Sequence, residues 1–163
     1  MDVNLNTASV VQVSVTDTAV SDNTGGLVAR NAGAGRVFLA LERTTFSRNS
    51  SFGLMSDGSG AGEIRSAASD SMFGGNGTAL LAAGGPAVAV IQVNRSTVVN
   101  SVTTGALSNG TAGQAFILIS NTLMAANALA LSATGTGNLI SYQNNSIGGN
   151  FSDGAFTGTI TLK

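Results

Sequence analysis

The sequence predicts an all-β fold, a single-stranded right-handed parallel β-helix (β-solenoid) of about six coils of roughly 26 residues each. Three observations favour it. An apolar residue that is followed three positions later by a polar residue recurs along the chain. Alternating apolar residues precede each of these anchors, and glycine-rich turns separate the coils. The usual chirality of crossovers between parallel strands favours the right-handed form.

The repeat is defined by six apolar anchors, which are spaced by 26, 27, 25, 26 and 23 residues. The anchors are Val20, Phe46, Phe73, Val98, Met124 and Ile147. Three positions after an anchor the residue is Asn in five coils and Ser101 in the fourth coil. The asparagines are Asn23, Asn49, Asn76, Asn127 and Asn150. Stacked coils place equivalent side chains about 4.8 Å apart, so an amide can donate to one neighbour and accept from the other. We therefore predict a structural ladder of these asparagines.

Two alternatives exist for these asparagines. They are sugar binding and N-glycosylation, because residues 49–51, 76–78 and 94–96 fit the glycosylation acceptor pattern. Such triplets also arise by chance in a chain rich in Asn, Ser and Thr, which favours the ladder.

The strands are predicted from the residues five and seven positions before each anchor. These residues are mostly apolar, which is the pattern of a strand with one buried face. The register predicts burial of Val13, Val15, Leu39, Leu41, Ile91, Val93, Ile117, Ile119 and Ile140. A helical fold fits poorly, because β-branched residues fill the strands and glycines recur throughout. A β-propeller would need a longer period.

The composition limits the available chemistry. The 163 residues include no cysteine, histidine or tryptophan, only 9% are charged, and the net charge is −1. Catalytic triads with histidine and metal sites with thiolate or imidazole ligands are therefore excluded. We expect no cofactor and no metal. The near-neutral charge argues against a nucleic-acid partner. We also expect no membrane insertion and no signal peptide in this chain, because no apolar run reaches about 18 residues and the start is polar.

Charged residues recur three positions before the anchors. The column consists of Asp17, Arg43, Asp70, Arg95, Asn121 and Asn144. Stacked neighbours of opposite charge would pair as a charge ladder. The alternative is that Asp17, Arg43, Asp70 and Arg95 are catalytic, since carboxylates two coils apart, about 9–10 Å, are near the upper limit for an inverting glycosidase. Arg43 would keep both carboxylates ionised, leaving no general acid. We therefore predict no catalytic residues and keep these four as the alternative set.

Three segments resemble a known family. They are residues 15–23 (VTDTAVSDN), residues 92–100 (QVNRSTVVN) and residues 141–154 (SYQNNSIGGNFSDG). They resemble the C-terminal coils of bacterial right-handed parallel β-helix repeat proteins of the pectin-lyase-like superfamily. That superfamily includes secreted polysaccharide lyases and hydrolases, phage tailspikes and adhesins. The resemblance covers nearly the whole chain and implies the fold, an extracellular or cell-surface location and a polysaccharide or surface glycan as partner.

The function predicted from these observations is that of a non-enzymatic extracellular or surface β-solenoid scaffold or binding module that self-associates. The alternative is a polysaccharide-acting lyase or glycoside hydrolase, or a fragment of one. Residues 96–152 contain no charged side chain, which favours contact with a second subunit or a glycan. Ice binding by a regular Thr face is a more remote variant.

The chain is predicted to be one domain, residues 1–163, in which residues 150–163 form a C-terminal cap. Phe151, Phe156 and a final strand are expected to cover the last coil, and Lys163 is expected to discourage further strand pairing. The β-rich segment with Val11, Val13 and Val15 is expected to carry the homo-oligomer contact.

Overall fold

A computed structural model describes residues 1–161, which form 17 β-strands and no helix. The strands are β1 (Asp2–Leu5), β2 (Val10–Thr16), β3 (Ala19–Ser21), β4 (Gly25–Asn31), β5 (Arg36–Glu42), β6 (Thr45–Ser47), β7 (Phe52–Asp57), β8 (Glu63–Ser69), β9 (Met72–Gly74), β10 (Thr78–Gly84), β11 (Ala89–Asn94), β12 (Thr97–Val99), β13 (Thr104–Ser120), β14 (Leu123–Ala125), β15 (Leu129–Ser141), β16 (Ser146–Ile147) and β17 (Gly158–Thr159).

The strands stack in parallel on three faces. Face 1 contains β1, β4, β7, β10 and the first parts of β13 and β15. Face 2 contains β2, β5, β8, β11, the last parts of β13 and β15, and β17. Face 3 contains β3, β6, β9, β12, β14 and β16. The long strands β13 and β15 continue from face 1 to face 2, and their pairing shifts between Gly110 and Ala115. The predicted parallel β-solenoid of about six turns is confirmed, and its right-handed sense stays a prediction.

Two narrow turns flank face 3, and each depends on a residue with positive φ. Between faces 2 and 3, φ lies between 46° and 50° at Asp17, Arg43, Asp70, Arg95 and Asn121. Between faces 3 and 1, φ lies between 53° and 69° at Asp22, Arg48, Gly75, Asn100, Ala126 and Gly149. Asp, Asn and Gly tolerate this conformation best. In the last coil the positive φ of 64° belongs to Gln143 rather than to Asn144.

The core is a continuous column of side chains that point inward from the three faces. Phe46 and Phe73 are fully buried, and their rings stack with centroids 5.2 Å apart. Burial is confirmed for Leu39, Leu41, Ile91, Val93, Ile117 and Ile119. Val13 and Val15 are half-buried, because β2 has a neighbouring strand on one side only.

The predicted burial of Ile140 is wrong. Leu139 pairs with Ile117 and Ser141 pairs with Ile119, so Leu139 is buried and Ile140 is only half-buried. Leu139 lies eight positions before the anchor Ile147, whereas its partner Ile117 lies seven positions before the anchor Met124. The last coil therefore has one extra residue between its face-2 strand and its anchor, and counting back from the anchor gives a register that is one residue too high. A one-residue slip moves a strand side chain to the opposite face.

The segment after Asn150 rejoins the solenoid. Ser152 bridges to Leu129, and β17 pairs with Ile140 and Ser141. Phe156 packs against the core, whereas Phe151 is 96% exposed and does not cover the last coil. The expected role of Lys163 lies outside the described residues, and the cap as a whole stays a prediction.

Candidate functional site

The predicted asparagines form stacked hydrogen bonds at the turn that follows face 3. The Nδ2 of Asn49 donates to Oδ1 of Asn76 (3.0 Å), and the Nδ2 of Asn127 donates to Oδ1 of Asn150 (2.9 Å). Asn49 Nδ2 also donates to the carbonyl oxygen of Val20 in the preceding coil (3.0 Å). Asn49, Asn76 and Asn127 are almost completely buried. The hydrogen-bonding groups of these buried amides are satisfied within the protein, which indicates a structural role. In the folded protein, Asn49 and Asn76 are therefore inaccessible to a glycan.

The ladder is interrupted at the fourth coil. The backbone N–H of Ser101 donates to Oδ1 of Asn127 (3.0 Å), as an asparagine there would. The Ser101 Oγ is buried and has no hydrogen-bond partner among the described residues. At the other end, Asn23 is exposed, and its Nδ2 donates to the carbonyl oxygen of Ser21 (2.8 Å). The ladder therefore consists of two runs, one on each side of Ser101.

A second buried polar column lies at the turn between faces 2 and 3. Ser71 Oγ accepts from the backbone N–H of Thr44 (3.1 Å), and Ser96 Oγ accepts from the backbone N–H of Ser71 (3.1 Å). Thr44, Ser71, Ser96 and Thr122 are all buried. These hydroxyls satisfy the backbone of the turn, so this column cannot offer an exposed Thr face to ice.

The four residues of the alternative catalytic set form two separate ion pairs. Nε and Nη2 of Arg43 donate to the two carboxylate oxygens of Asp17, both at 2.8 Å. Arg95 binds Asp70 in the same way, at 2.9 and 2.7 Å. These hydrogen bonds lower the pKa of Asp17 and of Asp70, and the charge of Arg43 contributes to the lowered pKa of Asp70. A general acid must carry a proton near neutral pH, and both carboxylates are held ionised.

A third pair has the same geometry at the other turn of face 3. Nε and Nη2 of Arg48 donate to the carboxylate of Asp22, both at 2.7 Å. Sequence reasoning missed this pair, although Asp22 and Arg48 both lie two residues after an anchor. In all three pairs, an Arg of one coil binds an Asp of the preceding coil. The repetition indicates that such pairs stabilise the turns of this solenoid.

These pairs predict a loss of stability in acid. The pKa values of Asp17, Asp22 and Asp70 are lowered in the folded state from the ordinary value of 3.8. Their contribution is therefore complete above that value and is lost as the pH falls through the lowered folded pKa values. We expect the thermal midpoint to fall below about pH 4, and by a modest amount, because these ion pairs are exposed to solvent. Circular dichroism melts between pH 7 and pH 2 measure it.

The control for this prediction is the triple variant Asp17→Asn, Asp22→Asn and Asp70→Asn. Asparagine also tolerates positive φ, so the turns keep their geometry. We expect a lower midpoint at pH 7 and a shallower decline in acid. An unchanged decline would assign the acid sensitivity to other carboxylates.

Face 2 carries a groove that extends over all six coils. The groove has a volume of about 510 Å³. Its central column is Ser14, Ala40, Ala67, Gln92 and Leu118, which pair with one another across successive strands. One side is formed by Glu42, Ser69, Asn94, Ser120, Asn121, Tyr142 and Asn144. A second depression of about 480 Å³, with Phe38, Arg65 and Val90, adjoins the central column on the other side. We refer to these residues together as the face-2 groove.

The side of the groove in the last three coils is a row of hydrogen-bonded amides. Asn121 Nδ2 donates to Asn94 Oδ1 (3.0 Å), and Asn144 Nδ2 donates to Asn121 Oδ1 (2.8 Å). Ser120 Oγ also donates to Asn94 Oδ1 (3.0 Å). A primary amide has two N–H donors and two carbonyl lone pairs, so this row keeps donors that the network does not use. Sequence reasoning placed Asn121 and Asn144 in one column but did not identify the groove.

Neither a clustered set of metal ligands nor a membrane-spanning helix occurs within residues 1–161. These residues contain no group of three or more His, Cys, Asp and Glu side chains placed to hold a metal ion. In the same part of the chain, no helix is long and apolar enough to cross a membrane.

Comparison with known proteins gives no relative. No protein-family model, no curated protein and no solved structure matches the chain. The pectin-lyase-like resemblance therefore stays a prediction, and the function has to be argued from the groove.

Proposed function

We propose that the protein is a non-enzymatic extracellular or surface binding module, in which a rigid solenoid presents the face-2 groove to an extended polymer. The observation that carries this proposal is the continuity of the groove from Ser14 in the first coil to Asn144 in the last. Five steps between coils at about 4.8 Å give a length of about 24 Å. A groove of this length and openness suits a chain-like ligand better than a compact one.

The rigidity of the lining supports binding. The central column of the groove lies on the paired face-2 segments of β2, β5, β8, β11 and β13, and in β5, β8, β11 and β13 the inward side chains beneath it are buried. Side chains on paired strands are more precisely placed than those on loops. A preorganised surface loses less conformational entropy when it binds its ligand.

The charges in the groove support binding without turnover. Among residues 1–161, Glu42 is the carboxylate that lines the groove, and its Oε1 accepts a hydrogen bond from Arg43. A glycosidase needs two carboxyl groups, one of them protonated. Asp17 and Asp70 are engaged by Arg43 and Arg95 at the turn beside the groove and have lowered pKa values. This arrangement favours a binding module over a hydrolase.

The experiment is a binding screen on soluble and insoluble polysaccharides, combined with measurement of released sugar with and without calcium. We expect retention on at least one polymer and no product. The variant Ala67→Arg fills the groove at an exposed position and should abolish retention. Ala128→Arg, exposed at the turn between faces 3 and 1 and outside both the groove and the first coil, is the matched control and should bind normally. Product release would contradict the proposal, as would failure of every polymer to bind.

Light scattering on the same samples tests the self-association that the sequence predicts. Each strand of the first coil (β1, β2 and β3) pairs with another strand on one side only. The unpaired N–H and C=O groups of such an edge can form hydrogen bonds with a strand of another chain. In β2, Val10 is 59% exposed. We propose association through this first coil, and a mass of 16.1 kDa at every dilution would contradict it.

A further inference from the structure

We propose that the half of the face-2 groove formed by the last three coils is a subsite for a neutral hexose polymer. Tyr142 provides the stacking surface, and the amides of Asn94, Asn121 and Asn144 provide the edge that recognises hydroxyl groups. This inference rests on the proposed function, because it names the ligand class of the same groove.

The charge distribution selects a neutral ligand. The groove residues from the last three coils are uncharged, and no charged side chain occurs in residues 96–152. Each arginine elsewhere lies within 3.9 Å of a carboxylate, and Arg36 and Arg65 share that of Glu63; the arginines are Arg30, Arg36, Arg43, Arg48, Arg65 and Arg95. A uronic-acid polymer would find no cation in this half of the groove and would meet the carboxylate of Glu42 next to it. Desolvation of an uncompensated charge opposes binding.

The side chains of this half match the two surfaces of a hexose. The ring of Tyr142 is half-exposed beside the apolar side chain of Leu118, and an aromatic ring packs against the C–H face of a sugar. The hydroxyl groups at the sugar edge both donate and accept, as do primary amides. Asn94 Oδ1 already accepts from Ser120 and from Asn121, so the Asn94 N–H groups are the donors that remain for a ligand.

The repeat of the solenoid selects a polymer over a single sugar. Asn94, Asn121 and Asn144 lie on successive coils and are joined in a row by direct hydrogen bonds. Successive coils are about 4.8 Å apart, and each of the last three presents one amide to the groove, although Asn94 stacks on Ser120 and lies one position before Asn121. A polymer whose sugar units follow one another at a comparable step offers equivalent hydroxyl groups to successive amides, and the weak contacts add along one chain.

The test is isothermal titration with two probes of equal length, a neutral glucose hexamer and a galacturonic acid hexamer, together with soluble neutral glucans and mannans. We expect binding to at least one neutral probe and at least tenfold weaker binding to the uronic acid hexamer. Tyr142→Ala should weaken neutral binding by about tenfold, whereas Tyr142→Phe should retain most of it. Asn121→Gly, which keeps the positive φ, should weaken it by a similar factor. Phe151→Ala, which changes an aromatic ring outside the groove, is the control and should bind as the parent does.

The outcomes separate this inference from the proposed function. If Ala67→Arg blocks binding but the preferred ligand is a uronic acid polymer, a peptide or a second copy of the chain, the groove binds and the neutral-hexose subsite is refuted. The same holds if Tyr142→Ala and Asn121→Gly bind like the parent. Binding of no polymer of any class refutes both. Melting curves and amide NMR spectra of each variant show whether a lost affinity reflects a lost fold.

Discussion

Replacement of Phe73 by alanine is expected to lower the free energy of unfolding by about 3–5 kcal/mol. Phe73 is fully buried, lies in β9 between β6 and β12, and stacks on Phe46 with centroids 5.2 Å apart. Its removal leaves a cavity in the middle of the stack, where neighbouring coils on both sides resist collapse. Urea unfolding followed by circular dichroism gives the value.

The matched control is Phe151→Ala, which removes the same side chain from a position that is 96% exposed. We expect a change within about 0.5 kcal/mol. The double variant Phe46→Ala and Phe73→Ala should lose less than the sum of the single losses, because the two rings contact each other. Equal losses for Phe73→Ala and Phe151→Ala would show that the stacked rings do not form the core.

Asn76→Ala is expected to cost about 1–3 kcal/mol, although it changes few atoms. Asn76 Oδ1 accepts from the backbone N–H of Asn49 (3.1 Å) and from its Nδ2 (3.0 Å), and Asn76 Nδ2 donates to the carbonyl oxygen of Phe46 (2.9 Å). Alanine leaves these groups of Asn49 and Phe46 without that partner at a site where Asn49 is fully buried. The thermal midpoint and the urea midpoint should both fall.

Two controls separate the ladder from a general effect of removing polar groups. Asn109 lies on face 1, is half-exposed and accepts one hydrogen bond from Thr134 Oγ1 (3.0 Å), so water can replace it in Asn109→Ala. We expect a change within about 0.5 kcal/mol. Ser101→Ala, in the ladder column itself, should be similarly small, because the Ser101 Oγ has no partner among the described residues. Equal shifts for Asn76→Ala and Asn109→Ala would refute the ladder.

The row of amides in the groove differs from the buried ladder because some of its N–H donors remain without a hydrogen-bond partner in the network. The ladder places its amides in a closed turn, where carbonyl oxygens and neighbouring amides take up their hydrogen-bonding groups. Asn94, Asn121 and Asn144 form the same kind of stack on a surface that faces solvent. A stack of this kind is ordered by its own hydrogen bonds and still has donors for a ligand. In the proposed function, the same repeat therefore supplies stability in one column and a binding edge in another.

The sequence by itself determined the features that translation from coil to coil repeats. One spacing is shared by the anchors, the inward residues of the central coils and the Asn positions. When the same residue type recurs at this spacing, the two residues stack on each other in neighbouring coils. This is why Leu39, Ile91 and Ile117 were predicted to be buried and why Asn49 and Asn76 were predicted to bond to each other.

Only the tertiary structure decided two features, the register of the irregular last coil and the presence of the groove on face 2. The register of Ile140 was one such feature, because the last coil is shorter before its face-2 strand but one residue longer after it, and the spacing of the anchors gives only the net change. The groove was not found, because the residue type along its central column changes from Ser14 through Ala67 and Gln92 to Leu118 and gives no repeated signal. A concave surface is produced by the relative heights of neighbouring side chains on stacked strands, and that relation exists only once the strands have stacked.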